Sequence, residues 1–363
     1  MSKPRAKSYI LKTPPYEIGA SRLPKKKKVI KLSSNESSYG SSIKITKAYI
    51  KTLKELNRYP NSNCSELKKA IAKKFNLNDK NIICSNGSDE LITLIAKSFS
   101  GIGDEVIYTE HGFSYYRIAS ITAGASVKIA KEINCVVSVD NILKKVTKRT
   151  KIVFLANPGN PTGTYINFEE IKRLCEKLPK RVVLVLDGAY AEFVDKNDYE
   201  PGIKMVKKHN NVIMIRTFSK IYGLSGLRLG WAYCATEVSK ILNRTRNPFN
   251  VNTVAQEVGI AALNDRKFVK KIAKQNIKLR SWVAKKLQIF SLFTYPSVTN
   301  FLLIRFPNNK RNNAKAVNKF LIKNGIILRK VDEYNLRNCL RLTIGKKTEM
   351  QEVIKTLGKF LKR

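Results

Sequence analysis

Histidine is nearly absent from this chain: His111 and His209 are the only two in 363 residues. A histidine-rich metal site and a Ser-His-Asp triad are therefore not expected. The six cysteines, at 64, 84, 135, 175, 234 and 339, never form a CxxC pair, and isolated reduced thiols of a cytoplasmic protein are the expectation. No run is long and apolar enough to span a bilayer, so no membrane association is expected. The first twenty residues carry Lys3, Arg5, Lys7 and Lys12 without an apolar h-region, so no secretory signal is expected. Acidic residues are scarce as well: 27 Asp and Glu stand against 69 Lys and Arg, a formal charge of +42. Such a balance raises nucleic-acid binding as a reading. The lysines are spread over every segment instead of clustering with aromatics on one face, and Asn and Ile are abundant beside them, so a compositional bias explains the charge better and no nucleic-acid partner is expected. The run Pro24-Lys25-Lys26-Lys27-Lys28-Val29 has the look of a nuclear-import signal, and in so lysine-rich a chain it reads as a solvated turn before a short strand.

Hydrophobic residues make up 43% of the chain, enough for a sizeable core. The pattern alternates helices and strands, which predicts an α/β fold. Leu67, Ala70, Ile71 and Phe75 share one helical face over 66–75. The turn Asn86-Gly87 precedes an apolar helix over Leu91–Phe99. Three unbroken apolar runs, Ile152–Ala156, Val182–Leu186 and Val212–Ile215, fit strands of a parallel sheet buried on both faces. A helical region over 253–290 breaks near Asn264-Asp265. Beyond Pro296 a second, smaller α/β unit is expected, with strands Phe301–Arg305, Ile326–Arg329 and Leu340–Ile344, a helix Ala314–Lys323 and a terminal helix. The expected division is a large domain over 45–265, and a small domain formed by 1–44 with 266–363.

In an open parallel sheet, ligands bind beyond the carboxyl ends of the strands. Asn157-Pro158-Gly159-Asn160-Pro161-Thr162-Gly163 follows the first apolar run, Asp187-Gly188-Ala189-Tyr190 the second, and Thr217-Phe218-Ser219-Lys220 the third. An amide, a carboxylate with a phenol, and an amine thus reach one sheet edge. Taken singly, the first is a turn and the Asp a helix cap. Together they suit pyridoxal phosphate chemistry. Lys220 would condense with the aldehyde and later serve as general base. Asp187 would keep the ring nitrogen protonated, and Asn160 and Tyr190 would hydrogen-bond the ring's 3-oxygen. The helix-opening turn Asn86-Gly87-Ser88-Asp89-Glu90 would offer backbone N–H donors to the phosphate, joined by Ser219 and Arg228. Asp89 and Glu90 suit the helix dipole, with their side chains turned away while their backbone binds.

These residues match a known family. The chain resembles the fold-type I, pyridoxal-phosphate-dependent aminotransferases, and within them the histidinol-phosphate aminotransferases, from about Tyr16 to Gly345. The likeness rests on Leu32-Ser33-Ser34-Asn35-Glu36, Arg58-Tyr59-Pro60, Asn86-Gly87-Ser88-Asp89-Glu90, Asn160-Pro161-Thr162-Gly163, Arg216 to Gly230 around Lys220, Arg246 to Asn252, and Cys339 to Gly345. It implies a large domain with a mostly parallel central sheet and a smaller α/β domain. It also implies a homodimer in which Tyr59 reaches the neighbour's cofactor phosphate. Phe113 would stack on the pyridine ring, Tyr16 and Asn35 would line the substrate side, and Arg341 and Arg329 would grip the substrate's anionic end. The implied reaction is ping-pong amino transfer between histidinol phosphate with 2-oxoglutarate and imidazole-acetol phosphate with glutamate, in histidine biosynthesis. A guanidinium serves both carboxylate and phosphate, as such an exchange requires. An aromatic amino-acid aminotransferase and a threonine-phosphate decarboxylase remain open on the same scaffold, as does a basic nucleic-acid-binding protein without catalysis. The chain departs from the family pattern at Gly159, where asparagine is commoner, at Gly188, where glutamate is, and at His111-Gly112, where Pro-Thr is usual. The last of these bears on side-chain selectivity, because that segment lies near the ring.

Overall fold

A computed structural model describes residues 4–21, 23 and 29–361. The basic run at 24–28 lies outside the described residues. Two sheets organise the chain. The larger has seven strands, in the order Ile82–Ser85, Gly230–Tyr233, Val212–Thr217, Val183–Asp187, Thr150–Ala156, Glu105–Thr109 and Ser126–Ala130. All neighbours are parallel except at Gly230–Tyr233, which runs antiparallel to both strands beside it.

The three apolar runs are the central strands of this sheet, and their unbroken hydrophobicity has a direct cause. Val153, Leu155, Leu184, Leu186, Val212 and Met214 face a core shared with helices Ser65–Phe75, Phe168–Lys177 and Thr253–Asn264. Ile152, Phe154, Val183, Val185, Ile213 and Ile215 face a second core, under Ser88–Phe99 and Tyr115–Thr122. With helices on both sides, no position within these apolar runs is left for a polar residue, and the polar ones fall at the strand ends. The register sets Ala156 beside Asp187 and Asp187 beside Ile215, so the first two strands finish level and the third runs two residues further, to Thr217.

The second sheet has the order Ile30–Leu32, Ile326–Lys330, Cys339–Thr343, Phe301–Arg305 and Phe293–Thr294. Its first pair is parallel and the others antiparallel. It packs with Arg266–Ile289, Ala314–Lys323 and Lys347–Leu361 on a third core. The helical break near 264 falls where Asp265 accepts a hydrogen bond from the Phe268 N–H at 3.2 Å and caps the 24-residue helix that follows. The strand expected over Leu340–Ile344 runs one residue earlier. All six cysteines are buried and free. Among the described residues no helix is long and apolar enough to cross a membrane.

Two of the sequence departures have local causes. A Cβ on Gly159 would stand 2.5 Å from the Thr162 hydroxyl. One on Gly188 would stand 3.0 Å from Cδ of Arg216, a buried guanidinium paired with Glu192 at 2.7 Å, which already fills that space.

Candidate active site

These strand ends open into a cavity of about 260 Å³, closed on its far side by residues of the second sheet. Lys220 and Asp187 both line it, as do Asn160 and Tyr190. Lys220 follows Val212–Thr217 by three residues. Its Nζ donates to the Ser34 carbonyl at 3.2 Å and lies 5.8 Å from the centre of the Tyr190 ring. Burial disfavours the ammonium and the Arg341 cation repels it, and together they lower the Lys220 amine to about 8. About a tenth of the amine is thus neutral at pH 7, far more than for an exposed lysine.

Asp187 ends its strand fully inside. Its Oδ2 accepts from the Tyr116 hydroxyl at 2.7 Å and its Oδ1 from the Ala189 N–H at 3.0 Å. Burial raises the carboxyl to about 6 against these two donors. Among the described residues no cation bonds this carboxylate, and an acid held so deep matches a ligand that brings its own positive N–H. Tyr116 was not foreseen from sequence. It lies flat on Phe154, with ring centres 5.0 Å apart and planes 3° from parallel.

Tyr190 and Asn160 are held in place from the second sheet. The Tyr190 hydroxyl accepts from Asn35 Nδ2 at 2.9 Å, and Thr343 Oγ1 donates to Asn35 Oδ1 at 3.0 Å, which fixes the orientation of that amide. Asn160 Oδ1 accepts from Arg341, so the amide's donor end is the one left for a ligand oxygen. Phe113 also lines the cavity, with its ring edge-on to Tyr116 and to Tyr16.

At the opposite end the helix Ser88–Phe99 presents its first turn, whose N–H groups have no acceptor within the helix. The approach is tight. Gly87 has φ +85°, and a Cβ on it would fall 2.5 Å from Arg228 Nη2. A Cβ on Gly230 would lie 2.5 Å from the Ser88 nitrogen. Ser219 and Arg228 line the same corner. This set of backbone donors, a hydroxyl and a guanidinium fits a phosphate. The acidic pair behaves differently from expectation. Asp89 turns into the cavity and pairs with Arg228 Nη2 at 3.0 Å, because that cation is within reach of the first helical turn. Glu90 does turn its side chain away: its carboxylate accepts from the Asn86 N–H at 2.6 Å and from Asn250 Nδ2 at 2.7 Å. Glu90 therefore holds the turn together.

The substrate-side group also converges. Tyr16, Asn35, Arg329 and Arg341 all line the cavity. Arg329 and Arg341 are direct cross-strand partners, and both are buried. Two like charges placed opposite one another in a sheet destabilise it, so the pair is hard to explain by folding needs. His111 also touches this wall, with its Nδ1 2.7 Å from the Tyr334 carbonyl. Tyr59 stands apart: it is 83% exposed, stacked on Phe249 at 4.6 Å, and outside its own chain's cavity.

A parallel-sheet scaffold, a buried lysine of lowered basicity, a buried acid and a phosphate-shaped corner define a class, and comparison with known proteins agrees. The chain belongs to the class I and II aminotransferases, whose family model matches residues 27–357. Within that family it sits with the histidinol-phosphate aminotransferases. The enzyme of that name from Paramagnetospirillum magneticum is 44% identical over 99% of both chains, and that from Rhodospirillum centenum is 41% identical over the full length of both. The solved structure of the Sinorhizobium meliloti histidinol-phosphate aminotransferase, in complex with pyridoxal-5'-phosphate, superposes with a TM-score of 0.86 at 25% identity, covering 92% of each chain.

Proposed function

We propose that this chain binds pyridoxal phosphate and transfers the amino group between histidinol phosphate and 2-oxoglutarate, a step of histidine biosynthesis in the cytoplasm. The observation that carries the substrate choice is the buried Arg329–Arg341 pair, set across the cavity from the corner that suits the cofactor's phosphate. When bound, the cofactor supplies an aldehyde that accepts the amino group and a ring that takes up the electron pair of the breaking C–H bond. Lys220 Nζ holds the cofactor between turnovers and moves the proton at the substrate carbon that bears nitrogen; its value of about 8 suits both roles. Asp187 keeps the ring nitrogen protonated, with Tyr116 and the Ala189 N–H favouring its ionised form. Asn160 and Tyr190 donate to the ring oxygen, and Phe113 covers one ring face. The N–H groups of Ser88 and Asp89, with Ser219 and Arg228, hold the cofactor phosphate. Arg341 and Arg329 grip the substrate's phosphate, or a carboxylate of glutamate, with Tyr16 and Asn35 beside them.

A large domain over 45–265, carrying the cofactor, and a small domain of 1–44 with 266–363 form the two walls. The working unit is a homodimer. Ile43, Tyr49, Ile50, Leu53 and Leu56 are exposed along Ile43–Thr52 and the turn after it, while Ile45 and Thr52 are buried. Exposed apolar residues grouped in this way mark an association surface, and Tyr59 beyond them extends to the partner's cofactor phosphate.

The direct test is a comparison of kcat/KM for imidazole-acetol phosphate and for phenylpyruvate. A preference of at least tenfold for the phosphate compound is expected; a preference for phenylpyruvate makes the chain an aromatic aminotransferase. Arg341→Met should raise KM for both phosphate and dicarboxylate substrates by about 10²-fold, the scale for truncating a buried charged partner.

A further inference from the structure

Arg329 and Arg341 are neighbours of the same charge, yet they are neutralised differently. Arg341 donates to two uncharged acceptors, Asn160 Oδ1 and the Ser33 carbonyl, the latter at 2.7 Å, and its Nε has no partner. Arg329 donates through Nη2 to the Glu17 carbonyl at 2.9 Å and to the carboxylate of Glu333. Glu333 lies in the short turn Asp332–Tyr334, four residues beyond Arg329. Among the described residues, that bond is the only hydrogen bond its carboxylate makes and its only ion pair. A carboxylate built into the fold looks different: the fully buried Glu105 holds Arg149, Lys128 and Thr147 together. Glu333 can leave Arg329 at the cost of a single contact, and Arg329 keeps its anchor on the Glu17 carbonyl.

We propose that Glu333 is an exchangeable counter-ion, seated on Arg329 between substrates and giving up that guanidinium to the incoming phosphate. The inference rests on reading Arg329 and Arg341 as the substrate's anion site. With Glu333 seated, the pair carries one net positive charge; without it the charge would be two, in a buried wall. A doubly charged site would hold any dianion strongly, including free phosphate and a phosphorylated product. The exchange subtracts the cost of breaking the Glu333–Arg329 pair from the affinity of every dianion. Because it weakens ground state and transition state alike, it acts on binding and leaves the chemical step unchanged. Arg228, at the other end of the cavity, is likewise met by one carboxylate, Asp89 at 3.0 Å, and one carbonyl, Ser225 at 3.1 Å, and it also donates to the Ser219 hydroxyl at 3.4 Å.

Inorganic phosphate titrated calorimetrically into the cofactor-loaded enzyme tests the proposal, since the cofactor's own phosphate then occupies the Arg228 end. Glu333→Gln and Glu333→Ala should each bind phosphate about tenfold more tightly than the wild type, the worth of one charge-assisted hydrogen bond. The inhibition constant of phosphate and the dissociation constant of histidinol phosphate should fall by that same factor, so that their ratio holds, with the single-turnover rate at saturation unchanged. If Glu333 is instead a fixed brace that orients Arg329, both variants bind phosphate more weakly, and that result, or equal affinity, overturns the inference. The cofactor absorbance and melting temperature of each variant identify a misfolded one, and the two side chains are different enough for one to serve if the other fails. Phosphate that binds neither wild type nor variants removes the anion-site reading and the inference with it, whereas equal binding to both removes the inference alone.

Discussion

Lys220→Ala is expected to reduce amino transfer by about 10⁴-fold, the upper range for a positioned proton-transfer group, while the protein stays folded. The loss is large because, among the described residues, Lys220 is the only lysine lining the cavity. The fold survives because the ammonium contributes little to it. Among the described residues Lys220 makes one hydrogen bond, to the Ser34 carbonyl, and burial works against its charge. A circular-dichroism melt matching the wild type, beside single-turnover rates reduced by that factor, is the expected pair of results. Loss of activity together with loss of fold would assign Lys220 a structural role.

Asp187→Asn should slow catalysis by about 10²–10³-fold, the scale for removing one group that stabilises charge at a reacting centre, and should weaken cofactor binding at the same time. Its effect on stability runs the other way. Burial lifts the Asp187 carboxyl from 3.8 to about 6 in the folded protein. Folding therefore disfavours the ionised form: the group's contribution is fully present below about pH 3.8 and declines as pH rises through about 6. Asparagine carries no charge at any pH. Cofactor-free Asp187→Asn should melt above the cofactor-free wild type at pH 7, and the gap should close as pH falls towards 4. A residue whose removal stabilises the empty protein but disables the loaded one is kept for its ligand. A melt that falls at pH 7 would show Asp187 to be a structural carboxylate.

The central strands were legible in the sequence because two helical layers cover them and force continuous apolar runs. Their functional groups were legible because each stands just past a strand's end, at one edge of the sheet. What could not be read depends on contacts between distant segments. Tyr116 looks like an ordinary core aromatic of the helix Tyr115–Thr122, and only the fold sets its hydroxyl against Asp187, 71 residues away. Asp89 and Glu90 are adjacent and chemically alike, and nothing local predicts that one turns to Arg228 and the other to Asn250. The Arg329–Arg341 adjacency was expected only through family likeness, since it arises from the register of two strands. Glu333 gave no signal at all: an acid in a polar turn is unremarkable until Arg329 is found against it.

The claim on which the rest depends is that Lys220 carries the cofactor, and borohydride reduction of the cofactor-loaded protein tests it most directly. Peptide mass mapping should then find the mass of the reduced cofactor on the peptide containing Lys220. Its appearance on a different lysine, or on none, would contradict the account.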